Sequence, residues 1–256
     1  MNDSNSTISP GWPTHWPKDS FSGFAAWATA IVIVAIVALS AIGSAQQISG
    51  PVDPQRLVFG LTLQALLETG LISCALLALP GIAKMPRSAL GFTTPTMPVL
   101  AGAVLGAIAM ILTVDGSSAI VSVLTHTDHK QQPVEVFAGL HQPAAIAAFA
   151  LFATVFAPAL EETIFRVFVF NFGMRYGGFW LGAAASGVLF ACAHGDKYAA
   201  IPLGLGGVVL CAVYYNTRNA YASMISHALF NAFTLVALSI GAHAAAAAHP
   251  PGPVAP

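Results

Sequence analysis

Seven apolar runs divide the chain, at about 24–45, 57–79, 97–114, 143–173, 177–195, 199–216 and 219–242. A helix needs ~20 apolar residues to cross a bilayer, so each run predicts a span. The run 97–114 is short, and the apolar stretch 117–124 beyond Asp115 either extends it or forms a re-entrant turn. The run 143–173 exceeds what a bilayer requires at ~1.5 Å per residue, so it tilts or protrudes. The largest polar loop is 125–142. Residues 1–23 are polar and turn-rich and read as an arm, with Trp12 and Trp16 suited to the membrane interface. The first run is too long, and its flank too poor in basic residues, for a signal peptide, so it reads as a retained helix. The stretch 241–256 is rich in alanine and proline and reads as a disordered tail.

Composition narrows the class. Hydrophobic residues make up 56% of the 256 and charged residues 7%, against about 25% charged in soluble domains. So little charge cannot cover a soluble surface, and so much apolar content excludes disorder. The expected fold is an all-α polytopic transmembrane bundle of about seven spans. The net charge of −1 and the lack of a basic run argue against nucleic acid as a partner and leave the lipid bilayer. With the N-terminus cytoplasmic, the inner segments hold Lys18, Lys84, Arg87, Arg175 and Arg218, and the outer ones Arg56, Lys130 and Lys197. That small excess favours this orientation. Cys74, Cys192 and Cys211 lie in apolar runs and read as packing residues. The spacings Gly102 to Gly106 and Gly178 to Gly182 mark close helix contacts.

Charge within a bilayer is costly, so each intramembrane ionisable group is a candidate for function. The candidates are Glu68, Glu161, Glu162, Arg166, His194 and His227. Most of them fall in three motifs: Glu161-Glu162-Thr-Ile-Phe-Arg166, Phe190-Ala-Cys-Ala-His194 and His227-Ala-Leu-Phe-Asn231. Glu162 and Arg166 are four apart and can pair on one helix face, which makes Arg166 a clamp on Glu162. Glu161 is rotated by about 100° and need not compete for Arg166. Burial disfavours the charged carboxylate, which suits Glu161 as a general base acting on water. His227 and Asn231 share a face and can donate to a developing oxyanion. Glu68, near Gln64, either faces the same cavity or pairs elsewhere. Asp115, Asp128, Glu135, His126, His129 and His141 lie in or beside loops and read as solvated. With the turn taken at 174–176, the depths of Glu161, His194 and His227 differ by about 15 Å, so straight helices do not bring them together without tilt or a shorter fifth helix.

Together the three motifs resemble the CPBP intramembrane protease family, which includes type II CAAX prenyl proteases and bacterial Abi-type proteins. Its pattern is EExxxR, FxxxH and HxxxN, each on its own transmembrane helix. The match covers roughly 143–240 and marks a protease core behind an N-terminal membrane region at 24–142. The resemblance implies an endopeptidase that cuts membrane proteins or lipidated peptides. It implies Glu161 as the water-activating base assisted by His194, His227 and Asn231 as the oxyanion pair, and Glu162 and Arg166 as support. It leaves the metal question open. The helical zinc signature HExxH is absent, yet Glu161, His194 and His227 could hold a zinc ion with one open position for water. In that case Glu162 is the replacement base. Three other readings compete. Ala184-Ala-Ser186-Gly187 is faintly similar to the GxSG motif of rhomboid serine proteases. Buried Glu, His and Arg also build proton-coupled transporters. A catalytically silent interaction or immunity protein is the third.

Overall fold

The computed structural model describes residues 19–43, 53–127 and 131–248. Trp12, Trp16, Lys18, Asp128, His129, Lys130 and the final residues 249–256 lie outside them.

The described residues form helices and no strand. They are α1 (Phe24–Gly43), α2 (Pro54–Ala83), α3 (Met97–Thr125), α4 (Gln132–Ala138), α5 (Pro143–Leu151), α6 (Ala157–Glu162), α7 (Asn171–His194), α8 (Ala200–Thr217) and α9 (Ala220–Ala248). Two wider π turns, Phe152–Phe156 and Thr163–Phe170, join α5, α6 and α7 into one run. Proline stands in the first turn of α2, α3, α4 and α5, where its fixed φ fits and its missing N–H has no helical partner to lose. Asp53 caps α2 by accepting from the Gln55 amide at 2.9 Å. Lys84, His126 and Arg218 close α2, α3 and α8 in the left-handed conformation.

Among the described residues five helices are long and apolar enough to cross a membrane, as in an integral membrane protein. The longest run, Pro143–His194, has 52 residues and does not continue straight. Gly177 (φ −148°, ψ 19°) and Gly178 (φ 72°, ψ −170°) break it, and the chain doubles back. A Cβ on Gly173 would lie 2.8 Å from the Cα of Gly182, so the two legs touch backbone to backbone. Counting these legs separately, together with α1, gives seven helical legs among the described residues.

Two boundaries differ from expectation. α3 runs unbroken to Thr125, so 117–124 extends the third helix and Asp115 sits within it. α9 continues to Ala248, so 241–248 is helical where a disordered tail is expected. Alanine, the best helix former, fills most of that stretch. The large loop also contains the short helix α4.

The interior lies where α3, α7, α8 and α9 meet, around Phe170, Phe190, Leu210 and Tyr214. Small residues set the spacing. A Cβ on Gly187 would meet the Gly204 carbonyl oxygen at 2.6 Å, and one on Gly106 would meet the Val213 and Ser226 side chains. At one end, Tyr214 donates to the Leu90 carbonyl at 2.9 Å and Asn219 donates to the Thr93 carbonyl at 2.8 Å. Asn219 also accepts from the Tyr221 amide, which starts α9. The α2–α3 and α8–α9 connections are thus tied together. Outward-facing Leu66, Leu112, Trp180 and Val188 are all more than half exposed, as a lipid-facing surface requires. Of the cysteines, Cys211 is buried and Cys74 and Cys192 are exposed, all as free thiols.

Candidate active site

The break at Gly177 and Gly178 removes part of the depth problem. Glu161 lies about sixteen residues before it and His194 about sixteen after it, so both stand ~24 Å from the turn. Placing the turn at 174–176 made the legs unequal. The glycine pair makes them match.

The π turn at Phe152–Phe156 has an identifiable cause. Pro158, one residue into α6, has no N–H and crowds the preceding turn. The helix widens there, and the Ala157 amide bonds to the Phe152 carbonyl, five residues back. The Ala153 carbonyl thereby loses Ala157 as a donor, and in the wider register its donor would be Pro158. Asn231 supplies the bond instead, its Nδ2 donating to the Ala153 oxygen at 2.7 Å.

The first motif sends its two carboxylates to different places. Glu162 has no exposed side-chain surface. Its Oε1 lies 3.0 Å from Arg166 Nη1 and 3.0 Å from His227 Nδ1. The Glu162–Arg166 pairing is the one the spacing predicts, and the His227 contact is additional. Arg166 is fully buried, reaches the Gly207 carbonyl through Nη2 at 3.3 Å, and stacks 4.6 Å from the Phe190 ring centre. Glu161, in contrast, keeps 26% of its side chain exposed, with Oε2 3.8 Å from His227 Nε2.

Hydrogen bonds fix what each imidazole offers. A carbonyl only accepts, so His194 Nδ1, 2.8 Å from the Phe190 oxygen, carries a proton. In neutral His194 the Nε2 atom is then an acceptor. His227 Nδ1 likewise donates to Glu162, which leaves Nε2 an acceptor when the ring is neutral. His227 Nε2 faces the Glu161 carboxylate at 3.8 Å, a group that could exchange a proton with it.

Glu161, His194, His227 and Asn231 line one cavity of about 620 Å³. Its other walls are mostly apolar, including Leu57, Met110, Phe149 and Leu235. Glu68 is not among the lining residues; it accepts from Gln64 Nε2 at 3.0 Å on α2, and its other oxygen is buried without a hydrogen bond.

One acidic lining residue escapes the sequence reading. Asp115, grouped there with solvated loop residues, sits on α3 and borders the cavity. The signal available was the apolar stretch on both sides of it. Phe190, which opens the FxxxH motif, is 1% exposed and its ring packs against both His194 (4.7 Å between centres) and His227 (5.7 Å). The motif spacing singles out Phe190, and the fold adds its contact with the second histidine. Ser186 is removed from the serine-nucleophile reading, because it is fully buried and its hydroxyl donates to the Phe165 carbonyl at 2.8 Å.

The proposed zinc ligands meet one requirement and fail another. With Nδ1 tied to a carbonyl and a carboxylate, both histidines present Nε2 as metal ligands do. Yet among the described residues no three His, Cys, Asp or Glu side chains are gathered closely enough to hold one ion. The arrangement does not fit a zinc centre.

The fold and its centre define a helical integral membrane protein with a buried Glu–Arg–His cluster opening on a cavity. Residues 143–233 match the family described as Type II CAAX prenyl endopeptidase Rce1-like. That is the group to which the three motifs point. Over 98 residues the chain is 32% identical to the membrane-embedded CAAX protease MroQ of Staphylococcus aureus (strain USA300), covering 36% of this chain and 39% of that protein. The chain thus aligns with well under half the length of this curated relative. No solved structure matches.

Proposed function

We propose that the protein is an intramembrane endopeptidase acting on membrane-associated or lipidated polypeptides. The observation that carries this reading is the division of labour between adjacent carboxylates. Glu162 is consumed by Arg166 and His227, while Glu161 faces a cavity large enough for a peptide segment. Similarity to CAAX proteases supports the same reaction class.

In the proposed reaction, a water between Glu161 and His194 Nε2 attacks the peptide carbonyl carbon. Glu161 takes the water's proton as the new C–O bond forms. The tetrahedral oxyanion is stabilised by Asn231, whose amide keeps a second N–H beyond the one given to Ala153. His227 contributes as an imidazolium, donating through Nδ1 to Glu162 and through Nε2 to the oxyanion. This sharpens the oxyanion role given to His227, since its neutral form has no free N–H in this setting. The C–N bond then breaks, and the proton on Glu161 passes to the leaving amine.

The test compares membrane proteomes of cells holding the wild-type protein and Glu161→Gln. New protein termini that vanish with Glu161→Gln support the proposal. Identical fragment patterns overturn it, and Glu161-dependent proton flux in liposomes would favour the transporter reading.

A further inference from the structure

We propose that Pro158 is a positioning residue for Asn231. The inference rests on the reading of Asn231 as an oxyanion donor. Its structural half stands apart from that reading.

Every backbone carbonyl buried in a membrane needs a partner. In an α-helix the Ala153 oxygen would accept from the amide of residue 157. That amide is committed to Phe152. In the widened register the oxygen would accept from residue 158, and proline has no amide hydrogen. Pro158 therefore leaves one carbonyl on the cavity side of the chain without a helical donor. Asn231, on α9, fills that place at 2.7 Å.

This bond sets the orientation of the carboxamide. The Ala153 oxygen accepts only, so the NH₂ end of Asn231 must face it. An amide with no such partner could rotate by half a turn and present its oxygen, an acceptor that would repel an oxyanion. The orphaned carbonyl removes that choice, and Asn231 borders the cavity with its second N–H available. Pro158 is buried, so it acts on the cavity through the backbone and not by touching substrate.

Pro158→Ala supplies the missing amide hydrogen. The Ala153 carbonyl is then satisfied by the helix itself, in either the π or the α register, and Asn231 is released. Two cycles test this in the purified full-length protein. The first measures thermal unfolding in detergent for Asn231→Ala, Pro158→Ala and the double variant. Asn231→Ala leaves the half-buried Ala153 carbonyl without its donor and lowers Tm, and adding Pro158→Ala restores much of the loss. Additive losses overturn the proposal.

The second cycle measures peptide cleavage. Pro158→Ala lowers kcat about tenfold with KM little changed, the scale expected when a donor is loosened but not removed. In the Asn231→Ala background the same change costs nothing further. A multiplied loss, or an unchanged kcat in Pro158→Ala, overturns the positioning role. If Pro158→Ala does not accumulate alone, the double variant and Asn231→Ala still supply the Tm comparison, and absence of rescue refutes the link. A Tm rescue in a protein that cleaves nothing separates failure of the proposed function from failure of this inference.

Discussion

Glu161 and Glu162 are neighbours in the chain, yet they belong to two regions built on opposite terms. The inner region holds Glu162, Arg166 and the Nδ1 side of His227, all at or near zero exposure. The outer region holds Glu161, His194 and Asn231, which line the cavity. In the inner region the opposite charges of Glu162 and Arg166 face each other, as low dielectric surroundings require, although Glu162 Oε2 and Arg166 Nε are buried without a hydrogen bond. In the outer region polar atoms retain unused capacity: an open carboxylate, an imidazole acceptor and a second amide hydrogen. The same residue types serve as structure when paired out of reach of the cavity and as candidate chemistry when they border it. His227 has one ring nitrogen in each region.

The comparison breaks most visibly at Glu161. Glu161→Gln is expected to lower peptide cleavage by about 10³-fold, the middle of the range for a general base. Its Tm in detergent should stay close to wild type, because no buried partner is stranded. A large drop in Tm would move Glu161 into the inner region. Arg166→Met is expected to behave in the reverse sense. It leaves Glu162 buried with its charge unmatched, at a cost of about 3–5 kcal/mol, read by chemical unfolding in detergent. A stable Arg166→Met protein would mean that the pair is not a structural clamp.

Phe190 touches both regions, so its effects should be mixed. Phe190→Leu is expected to cost about 1–1.5 kcal/mol of stability and about tenfold in kcat through looser imidazoles. A change in only one readout would assign the ring to one side. Ser186→Ala should have the smallest effect. Losing its bond to the Phe165 carbonyl costs about 1 kcal/mol, and cleavage should persist. Abolished cleavage with a folded protein would revive a serine nucleophile.

Much of this was legible in the sequence, and for physical reasons. Scarce charge in apolar runs exposes Glu161, Glu162, Arg166, His194 and His227 directly, because lipid tolerates few such groups. The four-residue spacing of Glu162 and Arg166 maps straight onto a helix face, and they pair. Three features were not legible. The dividing line between the two glutamates depends on which helix each side chain meets. Glu162 and His227 are 65 positions apart, and no local rule joins them. The third helix looked interrupted at Asp115 because a hydropathy pattern penalises a carboxylate whether or not a cavity receives it. The π turns defeat a fixed period of 3.6, so residue faces drift within the first motif's helix.

The Gly177–Gly178 break has a consequence for how this chain can change. The two arms from the break to Glu161 and to His194 are nearly equal, so the hairpin works as a calliper. One residue added to a single arm shifts its tip by ~1.5 Å and rotates it by about 100°, and one full turn shifts it by ~5.4 Å. Length changes in this part of the chain are therefore tolerated only as matched whole turns, one on each side of the glycines. Loops elsewhere are free of that restriction.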